Sequence, residues 1–266
     1  MPSETNDAPP VDVRRQRILE AVGEHGFARV AELSAAFHVS DVTVRSDLDA
    51  LDRAGAIRRV HGGAMLPGAP FALERSFEES LETSGEEKRS IGRLATDLVE
   101  PGSSVFVDVG TTTAAFARAL VEREDLSGLT IVTNGLSIAR ELEPCIPRNQ
   151  VIVTGGTLRP LQHSLVAPLA SLVLEQLHVD VAVIGCNGVD RLGGVTNVNV
   201  AEAELKRLMV RRADRTIVVA DGSKLGQIHL GRIAGTEEIA ALVTGASAVS
   251  KSIEELRGSG LRVEVA

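Results

Sequence analysis

Three consecutive threonines follow an aspartate and a glycine in the stretch VFVDVGTTT, which ends at Thr113. The β-branched and aromatic run predicts a buried strand, and Gly110 permits a sharp turn where a Cβ would collide. A helix beginning near Thr113 would direct its unpaired N–H groups and its positive dipole end toward the three hydroxyls. These groups together predict a site for a small anion such as phosphate. The alternative is an ordinary helix N-cap, because threonine caps a helix well without any ligand.

Polar residues also follow the other strands predicted in this part of the chain. Strands are predicted at residues 105–109, 129–133, 151–154, 181–185, 216–220, 241–244 and 261–265, with helices between most of them. Continuous apolar strands separated by helices indicate an α/β, Rossmann-like, mostly parallel sheet, whose ligands bind at the carboxyl ends of the strands. The candidate effector-binding residues at those ends are Asp108, Gly110, Thr111, Thr112, Thr113, Thr133, Asn134, Gly155, Gly156, Asn187, Asp221 and Lys224.

Each of these signals also has an ordinary structural explanation. Asn134 and Asp221 each precede a glycine and so fit common turns, and a lysine such as Lys224 is usually solvated. Lys206 lies four residues after Glu202 on a helix predicted at 200–213, a spacing that favours an exposed i,i+4 ion pair. Recurrence at successive strand ends nevertheless favours a binding site, and Lys206 stays a candidate for it.

Length and composition limit the class of protein. The chain has 266 residues and 44% hydrophobic content, enough for two domains, and no run of 18 apolar residues or signal-peptide core is present, so we expect a cytoplasmic protein without membrane contact. Its only cysteines, Cys145 and Cys186, form no ligand-spaced group with the six histidines, and we expect no metal and no cofactor. A net charge of −8 and the absence of Trp and Tyr disfavour general nucleic-acid coating and single-strand stacking.

The first sixty residues predict three helices. The first is capped by Asp12 and ends at Gly23 to Gly26, the second covers Val30 to Phe37, and the third runs from Asp41 to Ala54 after a Ser40 N-cap. Val44, Leu48 and Leu51 form its inner stripe. A short turn before the third of three helices is typical of a helix-turn-helix.

The outer face of the third helix carries side chains that reach base edges and phosphates. The segment 56–60 predicts a β wing with two further arginines, ended by Gly62 and Gly63. The candidate DNA contacts from this pattern are Thr43, Arg45, Ser46, Asp49, Arg53, Arg58 and Arg59. A plain three-helix bundle is the alternative, because residues 1–67 hold eight arginines against ten acids. The position of the arginines on the third helix and wing favours DNA binding.

The run SDVTVRSDLDALDRAGAIRRVHGGA, residues 40–64, closely resembles the DNA-binding segment of DeoR-type transcriptional regulators. The resemblance adds Ser40 and His61 to the candidate DNA contacts. It departs from the family at Ser46, where a second arginine is usual.

The polar residues at the ends of the predicted strands, called the rim from here on, resemble a pattern in the sensor domains of the same family. Its sensor domains are similar in fold to sugar-phosphate isomerases, with a pattern Asp-x-Gly-Thr-Thr, Thr-Asn, Gly-Gly, Gly-x-x-Gly-hydrophobic-Asp, Lys-Arg and Asp-x-x-Lys. That pattern matches residues 108–112, 133–134, 155–156, 185–190, 206–207 and 221–224. A departure is Ala167, where the family commonly has glycine.

The resemblance implies a DNA-binding regulator, a repressor of a sugar or polyol operon that is released from double-stranded operator DNA by a phosphorylated sugar. We expect a homo-oligomer, a dimer or tetramer, because one helix-turn-helix offers a small interface. The expected domains are a disordered 1–10, a winged helix-turn-helix at 11–65, a linker at 66–82 and a sensor at 83–266. We do not expect an enzyme; the rival is a sugar-phosphate isomerase-like enzyme with an accessory domain, in which Asp108, Glu202 or Asp221 moves a proton.

Overall fold

The computed structural model describes residues 9–25, 27–60, 63–65, 74 and 76–266. The chain divides into two compact units, residues 1–73 and 74–266. Each unit has its own hydrophobic core, which lies inside that unit.

The first unit is a winged helix-turn-helix. Its elements are α1 Val11–His25, β1 Phe27–Arg29, α2 Val30–Phe37, α3 Asp41–Arg53, β2 Arg58–Val60 and β3 Gly63–Met65. The strands form an antiparallel sheet in the order β1-β3-β2. The predicted inner stripe is confirmed, since Val44, Leu48 and Leu51 are all buried with Ile18 and Val22.

Three details of this unit differ from the sequence prediction. Asp12 lies in the first turn of α1 and is not its cap, because the helix begins one residue earlier, at Val11. The helix ends at His25, within the predicted end at Gly23 to Gly26. Gly63 begins β3 and does not end the wing. The strands β1 and β3 escaped prediction because each has only three residues, too few for a period-two pattern.

The second unit is an α/β domain, and its elements fall into three stretches. The first stretch contains α4 Phe77–Glu82, α5 Gly85–Thr96, β4 Ser104–Val107, α6 Thr111–Glu122, β5 Thr130–Thr133, α7 Leu136–Leu142 and β6 Gln150–Val153. The second contains β7 Thr157–Arg159, β8 Ser164–Val166, α8 Leu169–Glu175, β9 Val179–Gly185, β10 Gly188–Asp190, β11 Gly194–Asn197 and α9 Val200–Arg211. The last contains β12 Ala213–Ala220, β13 Gly231–Ala234, β14 Ala241–Thr244, α10 Ser250–Gly258 and β15 Val263–Val265.

All seven predicted strands are present in one sheet, and every neighbouring pair is parallel. The order is β15-β14-β12-β9-β4-β5-β6. Alternate residues of β4 enter different cores: Val105 and Val107 pack on one face and Phe106 on the other. The sheet is therefore covered on both faces, and the predicted α/β, Rossmann-like fold is confirmed.

Short antiparallel elements were not predicted. They are the hairpin β7–β8 and a three-stranded sheet in the order β10-β11-β13. In β7 no residue is buried, so its sequence carries no apolar run. Within the part of the chain that the structure describes, no helix combines the length and apolarity needed to cross a bilayer.

Candidate functional site

The turn after β4 leads directly into α6. Gly110 has φ +146°, in the region that favours glycine, and a Cβ there would lie 3.2 Å from Thr113 Oγ1. The helix begins at Thr111, two residues before the predicted start, because the Gly110 carbonyl already accepts the first helical bond from Ala114 N at 2.9 Å. The N–H groups of all three threonines therefore precede the first intrahelical bond and have no acceptor in the helix.

The three threonines are not equivalent. All are buried, but the Thr113 hydroxyl donates to the Gly110 carbonyl at 2.9 Å. The hydroxyls of Thr111 and Thr112 form no hydrogen bond within the described residues. Two hydroxyls and three N–H groups are thus left for an external acceptor, which is fewer groups than the sequence alone suggested.

Asp108 and Lys206 form a buried ion pair beside this turn. Lys206 Nζ contacts Asp108 Oδ2 and donates to the Gly185 carbonyl at 3.0 Å, while Gly185 N donates to the same Asp108 oxygen at 3.1 Å. The exposed i,i+4 pair that spacing favoured for Lys206 and Glu202 is therefore wrong. Helical periodicity places these residues on one face of α9, but packing against β9 decides that this face is buried.

Burial shifts the titration of both partners. Desolvation raises the pKa of Asp108 from 3.8 to about 6, although the charge and hydrogen bond of Lys206 act to lower it. Burial acts to lower the pKa of Lys206, but Asp108 and Glu202 outweigh it and raise that pKa. Lys206 therefore stays charged at neutral pH. Asp108 Oδ1 is buried and has no hydrogen-bond partner among the described residues, so one acceptor of this carboxylate is unsatisfied.

Two other predicted rim residues shape the loop after β5. The Asn134 side chain accepts from Val109 N at 3.2 Å and so joins the loop to the turn before α6. Thr133 Oγ1 accepts from Gly135 N at 3.0 Å. Both side chains are buried. They position the rim, and Asn134 lies directly beside the turn that carries the threonines.

The remaining candidates stabilise neighbouring loops. Asn187 Oδ1 accepts from Val198 N at 2.9 Å, and Asp221 Oδ1 accepts from Ser223 N at 3.1 Å. Gly155 and Gly156 have φ of +68° and +134°, and a Cβ on Gly156 would lie 2.5 Å from the Val166 carbonyl. The glycine pair therefore permits the close return of the chain into the β7–β8 hairpin.

Sequence reasoning missed a buried polar cluster on α9. Glu202 is buried, forms an ion pair with Arg159, and accepts a hydrogen bond from Ser164 Oγ at 2.6 Å. The sequence suggested Glu202 as an exposed partner of Lys206 and as a proton-transfer group in the rival enzyme, but no sequence signal connects it to Arg159, which lies 43 residues away.

Cys186, which directly follows β9, lies in the predicted segment 185–190 but was not among the candidate effector-binding residues. Burial raises the pKa of its thiol to about 12, despite the opposing charges of Lys206 and Lys224. Lys224 itself is half-buried. The thiol is consequently neutral and unreactive at physiological pH. No cluster of three or more metal-ligating side chains occurs in the described ranges of the chain.

The predicted DNA-facing surface lies on α3. Ser40 caps the helix by accepting from Thr43 N at 3.2 Å, and Thr43 is half-buried. The exposed positions are Arg45, Ser46, Asp49, Arg53 and Arg58. His61 lies outside the described residues.

The wing is fastened to α3. Arg59 forms an ion pair with Asp49, and Arg59 N donates to Asp52 Oδ1 at 2.9 Å. Asp47, which sequence reasoning did not single out, is buried between Arg14 at 2.5 Å and Arg15 at 3.0 Å. These contacts hold α1, α3 and the wing in one arrangement.

A winged helix-turn-helix followed by an α/β domain with a polar rim defines a two-domain transcriptional regulator. Comparison with protein families assigns both parts. Residues 14–68 match the DeoR-like helix-turn-helix domain, and residues 83–246 match the DeoR C terminal sensor domain. The chain belongs to the DeoR family of transcriptional regulators.

Full-length relatives support the assignment. The chain is 36% identical to the HTH-type transcriptional regulator GlpR of Haloferax volcanii, covering 94% of this chain and 96% of that protein. It is 31% identical to GolR of Listeria innocua, over 95% and 98% of the two chains. The glycerol-3-phosphate regulon repressor of Escherichia coli is 29% identical, again over 95% and 98%. Among solved structures, the full-length SorC regulator of Klebsiella pneumoniae superposes on this chain with a TM-score of 0.40 at 16% identity, covering 92% and 99% of the two chains.

Proposed function

We propose that this chain represses a sugar or polyol utilisation operon and that a phosphorylated sugar releases it from its operator. The observation that carries the proposal is the start of α6, where the N–H groups of the three threonines have no acceptor in the helix. The positive end of the helix dipole favours an anion at that place. The name of the E. coli relative, a glycerol-3-phosphate regulon repressor, supports a phosphorylated ligand of this class.

The proposed ligand meets different groups at its two ends. The phosphate would bind the N–H groups and the hydroxyls of Thr111 and Thr112, with Lys224 adding charge from the same rim. A sugar hydroxyl would donate to Asp108 Oδ1, the buried acceptor that has no partner in the described structure. Asn134, Asn187 and Asp221 would shape the walls through the loop contacts that they make.

The DNA-binding half of the proposal concerns α3 and the wing. Arg45, Ser46 and Arg53 lie on the exposed face of α3, where they would contact base edges or phosphates in the major groove. The ion pair between Asp49 and Arg59 would set the angle of the wing for contact with the backbone by Arg58. Two copies would occupy two half-sites, because a single module buries too little surface for tight binding.

One observation favours a second candidate, an isomerase-like activity. Asp108 has a pKa of about 6 and could therefore exchange a proton near neutral pH. The full-length relatives are named as transcriptional regulators, which supports a binding role for the same carboxylate. Incubation with sugar phosphates, followed by analysis for isomerised product, separates the two functions.

The decisive experiment compares phosphorylated and neutral ligands in pairs by calorimetry. Suitable pairs are glycerol 3-phosphate and glycerol, ribose 5-phosphate and ribose, and fructose 6-phosphate and fructose. Each charge-assisted hydrogen bond contributes about 1.5–3 kcal/mol, so losing two or three should weaken binding at least about a hundredfold. Equal affinities within every pair, or a preference for the neutral sugar, would remove the phosphate site and leave the threonines as a helix start.

A further inference from the structure

The β7–β8 hairpin, residues 157–166, is hydrogen-bonded to the rim of the candidate effector site. Leu165 N donates to the Asn134 carbonyl at 2.7 Å, and Leu136 N donates to the His163 carbonyl at 3.0 Å. Ser137 Oγ and His163 Nδ1 are 2.5 Å apart. Asn134 in turn accepts from Val109 N in the turn that leads to α6. A ligand that moves this turn therefore acts on the hairpin through directly bonded atoms.

The same hairpin contacts the first residues of the sensor unit. Arg159 donates to both Glu74 oxygens, at 2.8 and 3.3 Å, and Phe77 N donates to the Leu161 carbonyl at 2.8 Å. The His163 ring packs on Phe77 with centroids 5.2 Å apart and lies 3.2 Å from a Glu78 oxygen. Glu74 is the first residue of the second unit, because the two units divide between residues 73 and 74. The hairpin thus connects the rim with the start of the unit.

A network of charged side chains, partly buried at Arg159 and Glu74 and fully buried at the other members, follows the same route. Arg159 pairs with Glu202 as well as Glu74, and Glu202 lies one turn of α9 before Lys206, which pairs with Asp108. Arg159 contacts two of the three carboxylates, whereas Lys206 contacts Asp108 alone and feels the charge of Glu202 as well, which helps to raise the pKa of Lys206. Glu202 is 3% exposed, and a buried carboxylate is strongly destabilised when its cation is withdrawn. A loss of charge or of contact at Asp108 consequently changes how strongly Glu202 attracts Lys206 relative to Arg159.

We propose that the β7–β8 hairpin couples ligand occupancy of the rim to the start of the sensor unit, with Arg159 as the positioning residue of that coupling. The inference rests on the proposed function, because it assigns the route by which a sugar phosphate would reach the DNA-binding unit. A ligand hydroxyl that donates to Asp108 Oδ1 weakens the ion pair between Asp108 and Lys206. The Lys206 ammonium is then attracted more strongly to Glu202 and weakens the ion pair between Glu202 and Arg159. The hairpin shifts as one piece and carries Glu74 and α4 with it.

The test uses the full chain and three variants: Arg159→Met, Arg159→Lys and the control Arg118→Met. Arg118 also forms an ion pair with a glutamate of the sensor unit, Glu141 at 2.7 Å, but forms no hydrogen bond or ion pair with the hairpin among the described residues. Calorimetry measures the affinity for glycerol 3-phosphate, ribose 5-phosphate and fructose 6-phosphate. A gel shift measures the concentration of each that releases operator DNA.

The informative probe is the sugar phosphate that releases the wild type from operator DNA. We expect Arg159→Met to bind this probe with nearly the wild-type affinity. Release of Arg159→Met from operator DNA should nevertheless need at least about fivefold more probe, which is the lower end of usual coupling factors. Arg159→Lys keeps the charge, so the probe concentration that releases it should lie between those of the wild type and Arg159→Met. Arg118→Met should match the wild type in both affinity and release. Release of Arg159→Met at the wild-type concentration would overturn the inference. A purely structural role of Arg159 would lower binding and release together, and that outcome would overturn it too.

A ligand-free measurement separates this inference from the proposed function. In Asp108→Asn the ion pair with Lys206 is lost. Hydrogen exchange of the Phe77 amide, which donates a hydrogen bond to the Leu161 carbonyl, should therefore accelerate by about fivefold or more. Arg118→Met should leave that rate unchanged. An unchanged rate in Asp108→Asn overturns the coupling even when sugar phosphates release the wild type. If no probe releases the wild type but the rate rises, the proposed function fails and the coupling stands.

Discussion

Asp108 combines a buried ion pair with a carboxylate oxygen that has no partner in the described structure. Burial, and not the neighbouring lysine, dominates its titration and raises its pKa to about 6. A carboxylate in an unfolded chain titrates near 3.9. The native state therefore binds more protons than the unfolded state between these two values, and the carboxylate opposes folding once it is ionised.

The first residue-scale prediction concerns pH. The stability that protonated Asp108 contributes is fully present below about pH 4 and is lost as the pH rises through about 6. The free energy of unfolding of the wild type minus that of Asp108→Asn should thus fall across this window and stay level above about pH 7. Urea unfolding between pH 4 and 8 measures it. A difference that is constant with pH would mean that Asp108 titrates normally.

The second residue-scale prediction distinguishes the threonines. Thr112→Val keeps the shape and removes a hydroxyl that has no partner in the described structure, so sugar-phosphate affinity should fall by about ten- to a hundredfold, equivalent to about 1.5–3 kcal/mol. Operator binding should persist. The matched control, Thr113→Val, removes the hydroxyl bonded to the Gly110 carbonyl and should lower stability more than affinity. If calorimetry gives Thr112→Val the wild-type affinity, the Thr112 hydroxyl does not bind phosphate.

Among the helices, α3 has a buried stripe that packs in the core of the first unit and an exposed face that carries candidate DNA contacts. We predict that Arg45→Ala weakens operator binding by about 1–3 kcal/mol without changing sugar-phosphate affinity, because Arg45 is exposed on α3. Arg17→Ala, on α1, changes net charge equally at another exposed position and should have a smaller effect. Gel shifts at one salt concentration compare them, since salt alone changes such affinities strongly. Equal losses in both variants would indicate general electrostatics and not a groove contact by α3.

In the molecule as a whole, the first unit has one hydrophobic core and the second unit has two, one on each face of its sheet, and no core residue is shared between the units. We predict that a fragment of residues 74–266 folds alone and binds its sugar phosphate within about threefold of the full-length affinity, because domains with their own cores fold independently. Circular dichroism melting and calorimetry on the fragment and the full chain measure this. A fragment that fails to fold would show that residues 1–73 contribute to the sensor, and the predicted linker at 66–82 would need revision. The range 66–82 includes α4, whose Phe77 packs in the core of the sensor unit.

Elements with strong periodic signals can be predicted from the sequence alone. The seven strands of the parallel sheet and the three helices of the first unit follow from apolar runs, apolar stripes and caps, which depend only on neighbouring residues. The Gly-Thr-Thr-Thr turn and the polar strand ends are local too, because parallel strands bring their carboxyl ends to one edge. Elements of three residues, such as β7 and β8, gave no such signal.

Which charged residues are buried, and which partners they contact, depends on how distant segments pack together. Spacing alone favoured an exposed pair of Lys206 with Glu202, whereas packing of α9 against the sheet buries both and gives Lys206 to Asp108 and Glu202 to Arg159. Those partners lie 98 and 43 residues away in the chain. Helical periodicity fixes which residues share a face, but the direction of that face depends on contacts between distant segments. For the same reason the raised pKa of Asp108, which requires the surrounding core, could not be read from its neighbours in sequence.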